Sequence, residues 1–194
     1  MLMTNENIRF FPQDHFVKKI LLPIIPEEVH PNHLTVLRFL LIPFILFFLW
    51  REDWVVSLIL FLFAALTDAL DGSLARLRKQ ITEWGTVADP AADKLLIGSV
   101  VLLFVAREVN VWFAAVIVFI DALIILGAFI RLKRGGKLHS ANDYGKIKMF
   151  FQVAGVTMLL VARLFGITLS VPFAVGPFAI AIVFAVVSLL TYGI

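Results

Sequence analysis

The chain has 194 residues, 61% of them hydrophobic and only 16% charged, with a formal net charge of +3 and a mean hydropathy of +0.97. A soluble domain of this size could not cover so much apolar surface, so an ordinary water-soluble enzyme is excluded and an all-α integral membrane protein is expected. There is no cysteine, which removes disulfides, thiolate metal sites and thiol nucleophiles.

The N-terminal stretch MLMTNENIRFFPQDHFVKK lacks the apolar core and small-residue cleavage site of a secretory signal, so its residues are expected to be retained. Over 13–25, Phe16, Val17, Ile20, Leu21 and Leu22 follow the helical period beside Lys18 and Lys19. That pattern predicts an amphipathic helix lying in the headgroup layer, with a solvated basic tail as the plainer alternative. Pro23 and Pro26 would stop it, and Pro31 would open the turn into the membrane.

A helical crossing needs roughly 17–25 largely apolar residues. Six stretches qualify, at about 34–50, 54–71, 88–106, 111–131, 147–164 and 171–192. The expected architecture is a single domain over 1–194, a six-transmembrane-helix bundle preceded by the interfacial helix and without an internal repeat. Arg51-Glu52-Asp53, Arg107 to Asn110 and Phe165-Gly166 punctuate it, and the polar run RLKRGGKLHSANDYGKIK joins the fourth and fifth spans. Trp50, Trp54 and Trp112 fall at outer span ends, where aromatic belts form, and Trp84 falls at the inner boundary.

Charge fixes the expected direction. Arg9, Lys18, Lys19, Arg38, Arg76, Arg78, Lys79, Lys94, Arg131, Lys133, Arg134, Lys137, Lys146 and Lys148 lie on one side; only Arg51, Arg107 and Arg163 lie on the other. The positive-inside rule assigns the first side to the cytoplasm; the expected location is a bacterial cytoplasmic membrane, with the site described below at its cytoplasmic face.

Asp68 and Asp71, three apart near the inner end of the second span, share one helix face. Asp89 and Asp93, four apart at the inner start of the third, do the same, although Asp89-Pro90 also resembles a helix start. The short segment Leu77 to Thr82 joins these antiparallel helices, so the acids can converge on one cavity. Carboxylates near a bilayer are costly and mark sites. Four together require something positive between them, most simply a divalent metal with oxygen ligands, magnesium or manganese. Gly72 and Ala75 leave room beside them.

The register Asp68-x2-Asp71-Gly72-x2-Ala75-Arg76-x8-Gly85-x3-Asp89-x3-Asp93 matches in full the signature of the CDP-alcohol phosphotransferases. The six spans, the entry helix and the opening Pro31-Asn32-x2-Thr35-x2-Arg38 resemble that family too, so the likeness covers nearly the whole chain. It implies metal-dependent transfer from CDP-diacylglycerol to an alcohol, with release of CMP. By position, Asp68, Asp71 and Asp89 would hold two ions with Asp93 sharing one, and Asp93 would be the catalytic base. Asn32, Thr35, Asp68, Gly72, Ala75 and Arg76 would border the CDP moiety, and Gly85 would permit tight helix packing. The resemblance also implies a homodimer among membrane lipids, with no nucleic-acid partner.

Gly145-Lys146-Ile147-Lys148 resembles a segment of phosphatidylglycerophosphate synthases, which makes glycerol 3-phosphate the expected acceptor, with Arg131, Lys146 and Lys148 as its phosphate-binding candidates. Those synthases typically carry threonine where this chain has Met149, and an Arg-Glu pair where it has Ile120-Asp121. A cardiolipin synthase or a phosphatidylinositol-phosphate synthase is the alternative within the family. Asp121 should face the bundle, with Arg38 or Gln152 as its partner. A divalent-cation transporter or a non-catalytic lipid-binding protein is the alternative from another class. Transporters tend to place acids at the midplane in related halves, which is not the pattern here. His15, His30, His33 and His139 lack metal-ligand spacing.

Overall fold

The computed structural model describes residues 19, 30–78, 80, 82–133, 143–167 and 170–192, and among these the regular structure is helical. Apart from Lys19, the interfacial helix expected over 13–25 lies outside the described residues. In chain order come α1 (Pro31–Trp50), α2 (Trp54–Leu77), α3 (Glu83–Val100), α4 (Val111–Lys133), α5 (Asp143–Leu164) and α6 (Ser170–Tyr192). Beyond Val100, α3 runs on through a wide π turn, Val101–Val105, and a last turn, Ala106–Glu108.

Among the described residues, four helical stretches are long and apolar enough to cross a membrane: Pro31–Trp50, Trp54–Leu77, Tyr144–Leu164 and Phe173–Thr191. The fourth helix adds a shorter apolar stretch, Val111–Gly127. Glu83, Asp89, Asp93 and Lys94 make α3 more polar than these. Leu40, Phe44 and Phe47 of α1 and Trp112 of α4 present apolar surface outward, as a lipid-facing side requires.

Local chemistry explains the breaks. Asp53 caps α2, its Oδ1 accepting the N–H of Val56 at 3.1 Å, just after Glu52 takes a left-handed φ of 60°. Asn110 caps α4 by accepting the N–H groups of Trp112 and Phe113. Gly166, at φ +67°, closes α5, and the following Ile167 N–H reaches back to the carbonyl of Ala162 at 2.9 Å. The Asp89-Pro90 pair does not start a helix: α3 begins at Glu83, and the hydroxyl of Thr82 accepts the Gly85 N–H at 3.0 Å as its cap. Pro90 is therefore internal, removing one helical N–H beside Asp89.

The chain forms two compact units, Met1–Ile45 with Ile59–Leu96, and Leu46–Leu58 with Ile97–Ile194. Buried Phe61, Ala64, Leu74, Ala92 and Leu96 give the first its apolar core, and it also buries Thr35, Arg38 and Asp71. In the second, α5 packs along α6, and α6 meets α4. Stacked Phe151 and Phe184 lie 6.3 Å apart, and Phe113 meets Phe178 edge-on at 6.1 Å. At the ends of its helices, Arg107 pairs with Glu52 and with Glu108, and Arg163 pairs with the buried Glu108. These contacts neutralise Arg107 and Arg163.

Gly155 of α5 is where α6 comes closest, because a Cβ there would stand 2.7 Å from the Phe178 ring. Gly155→Ala is expected to cost about 1–3 kcal/mol through overpacking, read as a lowered thermal midpoint in detergent.

Candidate active site

Arg38 occupies the middle of the predicted acid cluster. It comes from α1, its side chain is fully buried, and its Nη2 lies 2.5 Å from Oδ2 of Asp71, while Nη1 lies 3.0 Å from Oδ1 of Asp68. One turn earlier on α1, the buried hydroxyl of Thr35 donates to Oδ1 of Asp89. Asp68, Asp71 and Asp89 lie close enough for Asp89 to act electrostatically on both α2 acids. Asp71 is buried, and Asp68 and Asp89 are half-buried.

A guanidinium of the chain itself thus stands between the α2 carboxylates, a positive group in addition to the metal ion expected from the sequence. Arg38 is not the partner of Asp121 that the sequence had suggested. That acid accepts from Lys148 Nζ at 2.7 Å and from Gln152 Nε2 at 2.9 Å within the second unit, so the Gln152 alternative holds and Lys148 joins it. A signal for Arg38 was available: an arginine inside a run as apolar as α1 must find an acid, and the nearest unpartnered acids in the sequence pattern were the signature's own.

One guanidinium cannot balance three ionised carboxylates. The shortfall has the size and hard oxygen-donor chemistry that suit a divalent ion such as magnesium. Among the described residues, no three acidic or histidine side chains are drawn together as a ready metal cage. Their present arrangement is built around Arg38 and Thr35.

Asp93 stands one helical turn beyond Asp89 on α3 and is half-buried. Gly72, Ala75 and Arg76 follow Asp71 along α2, and Arg76 Nη2 reaches the Ser73 hydroxyl at 3.3 Å. Asn32 opens α1 and accepts from the Thr82 hydroxyl at 3.0 Å. A Cβ on Gly85 would stand 3.0 Å from that hydroxyl oxygen and 3.1 Å from Asn32 Oδ1. Glycine is what lets the start of α3 approach α1 there. His30, Pro31, Asn32, Gln80 and Thr82 line a depression of about 180 Å³ beside this contact.

The acceptor candidates sit in the second unit. Arg131 is near the end of α4, Lys146 is exposed on the first turn of α5, and Lys148 is buried against Asp121. Two of the predicted loop and interface histidines, His30 and His33, meet edge-on at 5.3 Å, and His30 Nδ1 lies 3.3 Å from Gln80 Oε1.

The family described as CDP-alcohol phosphatidyltransferase matches residues 28–191. A CDP-diacylglycerol–glycerol-3-phosphate 3-phosphatidyltransferase of Bacillus subtilis (strain 168) is 31% identical over 173 residues, covering 81% of this chain and 90% of that protein. The Pseudomonas fluorescens protein of the same name is 47% identical over 94 residues, 45% of this chain and 48% of its own length. A probable cardiolipin synthase (CMP-forming) of Drosophila melanogaster is 35% identical over 102 residues, 52% of this chain and 32% of its own.

Proposed function

The chain belongs to the CDP-alcohol phosphatidyltransferase family, and from that premise we propose that it transfers the phosphatidyl group of CDP-diacylglycerol to glycerol 3-phosphate. The products are phosphatidylglycerophosphate and CMP. The observation that carries the site is the gathering of Asp68, Asp71 and Asp89 from two helices around Arg38 and Thr35 of a third.

In this reading Asp68, Asp71 and Asp89, with Asp93 sharing, hold two magnesium or manganese ions through carboxylate oxygens. Bound there, such ions supply charge stabilisation for the attacking and leaving oxygens. Asp93 takes the proton of the acceptor hydroxyl as its oxygen bonds to the lipid-linked phosphorus. The opposite bond, from phosphorus to the CMP oxygen, breaks in line, and CMP leaves with the electron pair. No side chain becomes covalently attached. Gly72 and Ala75 leave space for the diphosphate, the Arg76 guanidinium suits its oxygens, and Asn32 and Thr35 border the cytidine side. Arg131 and Lys146 are the cations offered to the acceptor phosphate.

The apolar character of α1, α2, α5 and α6 supports a membrane protein. We extend this to six crossings, with the acid site at the cytoplasmic face of a bacterial membrane, CDP-diacylglycerol entering from the surrounding lipid, and two copies forming a homodimer. A second acceptor is favoured by one contact: Asp121 neutralises Lys148, which suits an acceptor with a singly charged phosphodiester, such as phosphatidylglycerol. Purified protein with CDP-diacylglycerol, magnesium and a panel of glycerol 3-phosphate, phosphatidylglycerol and inositol phosphate separates these. Fastest CMP release with glycerol 3-phosphate is expected; cardiolipin as the main product would reassign the acceptor, and no CMP release with any acceptor would end the enzyme reading.

A further inference from the structure

Two side chains of α1 touch three of the acids assigned above to metal binding. Arg38 and Thr35 are three apart on one helix face, and neither is exposed. Arg38 reaches the two acids of α2, and Thr35 reaches Asp89 of α3. Each contact uses one oxygen of its carboxylate, and a carboxylate has two, so an ion can be coordinated while these contacts persist. Arg38 has no exposed surface, and among the described residues its buried Nε and Nη1 make no hydrogen bond, Nη1 meeting Asp68 as an ion pair only. Pulling the guanidinium off Asp71 and Asp68 would strand a buried charge, which is strongly unfavourable. The guanidinium therefore stays when an ion arrives.

Taking the metal-binding reading above as given, we infer that Arg38 and Thr35 are positioning residues which hold Asp68, Asp71 and Asp89 in register for the ion while coordinating nothing themselves. Two opposing effects act on affinity. The positive charge of Arg38 repels a cation, but without it three like charges push apart and their orientation is lost. Outer-shell partners of metal ligands are typically worth a factor of 10–100 in affinity, and here the ordering effect dominates because the guanidinium spans both acids of α2.

The test is Mn²⁺ binding to the full chain in detergent micelles without nucleotide, followed by electron paramagnetic resonance of the free ion. Wild type, Asp68→Asn, Arg38→Gln, Arg38→Lys and Thr35→Val are compared. Arg38→Gln is expected to weaken Mn²⁺ binding roughly 10–100-fold. Arg38→Lys should restore part of that loss, keeping the charge without the two-pronged fork, and Thr35→Val should weaken binding in the same direction by a smaller factor. The rise in thermal midpoint produced by Mn²⁺ should shrink in Arg38→Gln; a purely structural arginine would lower the midpoint equally with and without the ion. If Arg38→Gln does not fold, Thr35→Val decides, and unchanged or tighter binding in it overturns the inference. A loss in Asp68→Asn with wild-type affinity in the folded α1 variants overturns the positioning role alone. Absence of Mn²⁺ binding by wild type removes the metal-binding reading and the positioning role with it.

Discussion

Asp93→Asn is expected to lower turnover by about 10²–10⁴-fold, the range that a positioned general base contributes, while binding of CDP-diacylglycerol stays near the wild-type level. Asparagine is nearly isosteric with aspartate, so α3 should keep its shape and Asp89 its bond from Thr35. What is lost is the acceptor for the hydroxyl proton. Single-turnover CMP release should therefore fall as much as the steady-state rate, with little change in the affinity for the nucleotide lipid. Full activity would remove Asp93 from the base role. A parallel loss of CDP-lipid binding would make it chiefly an ion ligand.

Asp71→Ala should do more damage to the protein itself. Asp71 is buried and holds Arg38 at 2.5 Å, so its removal leaves a buried guanidinium with only the less well aligned Asp68 contact. Breaking one partner of a buried pair costs about 3–5 kcal/mol, and a large drop in the denaturation midpoint in micelles should accompany the loss of activity. Removing both charges together is the informative control. Arg38→Met with Asp71→Leu should recover part of the stability, because the fully buried pair is removed together and only the half-buried Asp68 loses its cation, yet activity should remain absent. Recovery of stability without recovery of transfer separates the structural work of the pair from its place in the site.

Much of this was legible in the chain because it is local. Apolar runs between Arg51-Glu52-Asp53, Arg107 to Asn110 and Phe165-Gly166 announced where helices stop, and Asp53, Asn110 and Gly166 do serve as caps and terminators. The i, i+3 and i, i+4 spacing of the acids followed from helical geometry alone. The partner of Arg38 was not legible in the same way. Thirty-three residues separate it from Asp71, and in a sequence dominated by positive-inside bias any inner arginine reads as a topology signal. The partner of Lys148 was hidden for a similar reason: its sequence context makes it a phosphate-binding candidate beside Arg131 and Lys146, and nothing local shows that it pairs with Asp121. Pro90 misled because proline at a helix start is the commoner case, whereas Thr82 had already capped α3 about two turns earlier. The π turn at Val101–Val105 left no trace in composition.

The place of Arg38 also constrains how the protein is made. It sits about 10 Å into α1 at 1.5 Å per residue, and a lone arginine inside a hydrocarbon layer is costly, up to about 2.5–3.5 kcal/mol at the centre on insertion scales. The first helix is thus poorly suited to leave the translocation machinery by itself. It becomes comfortable in lipid once the second helix delivers Asp68 and Asp71, which favours release of the two as a hairpin during biosynthesis.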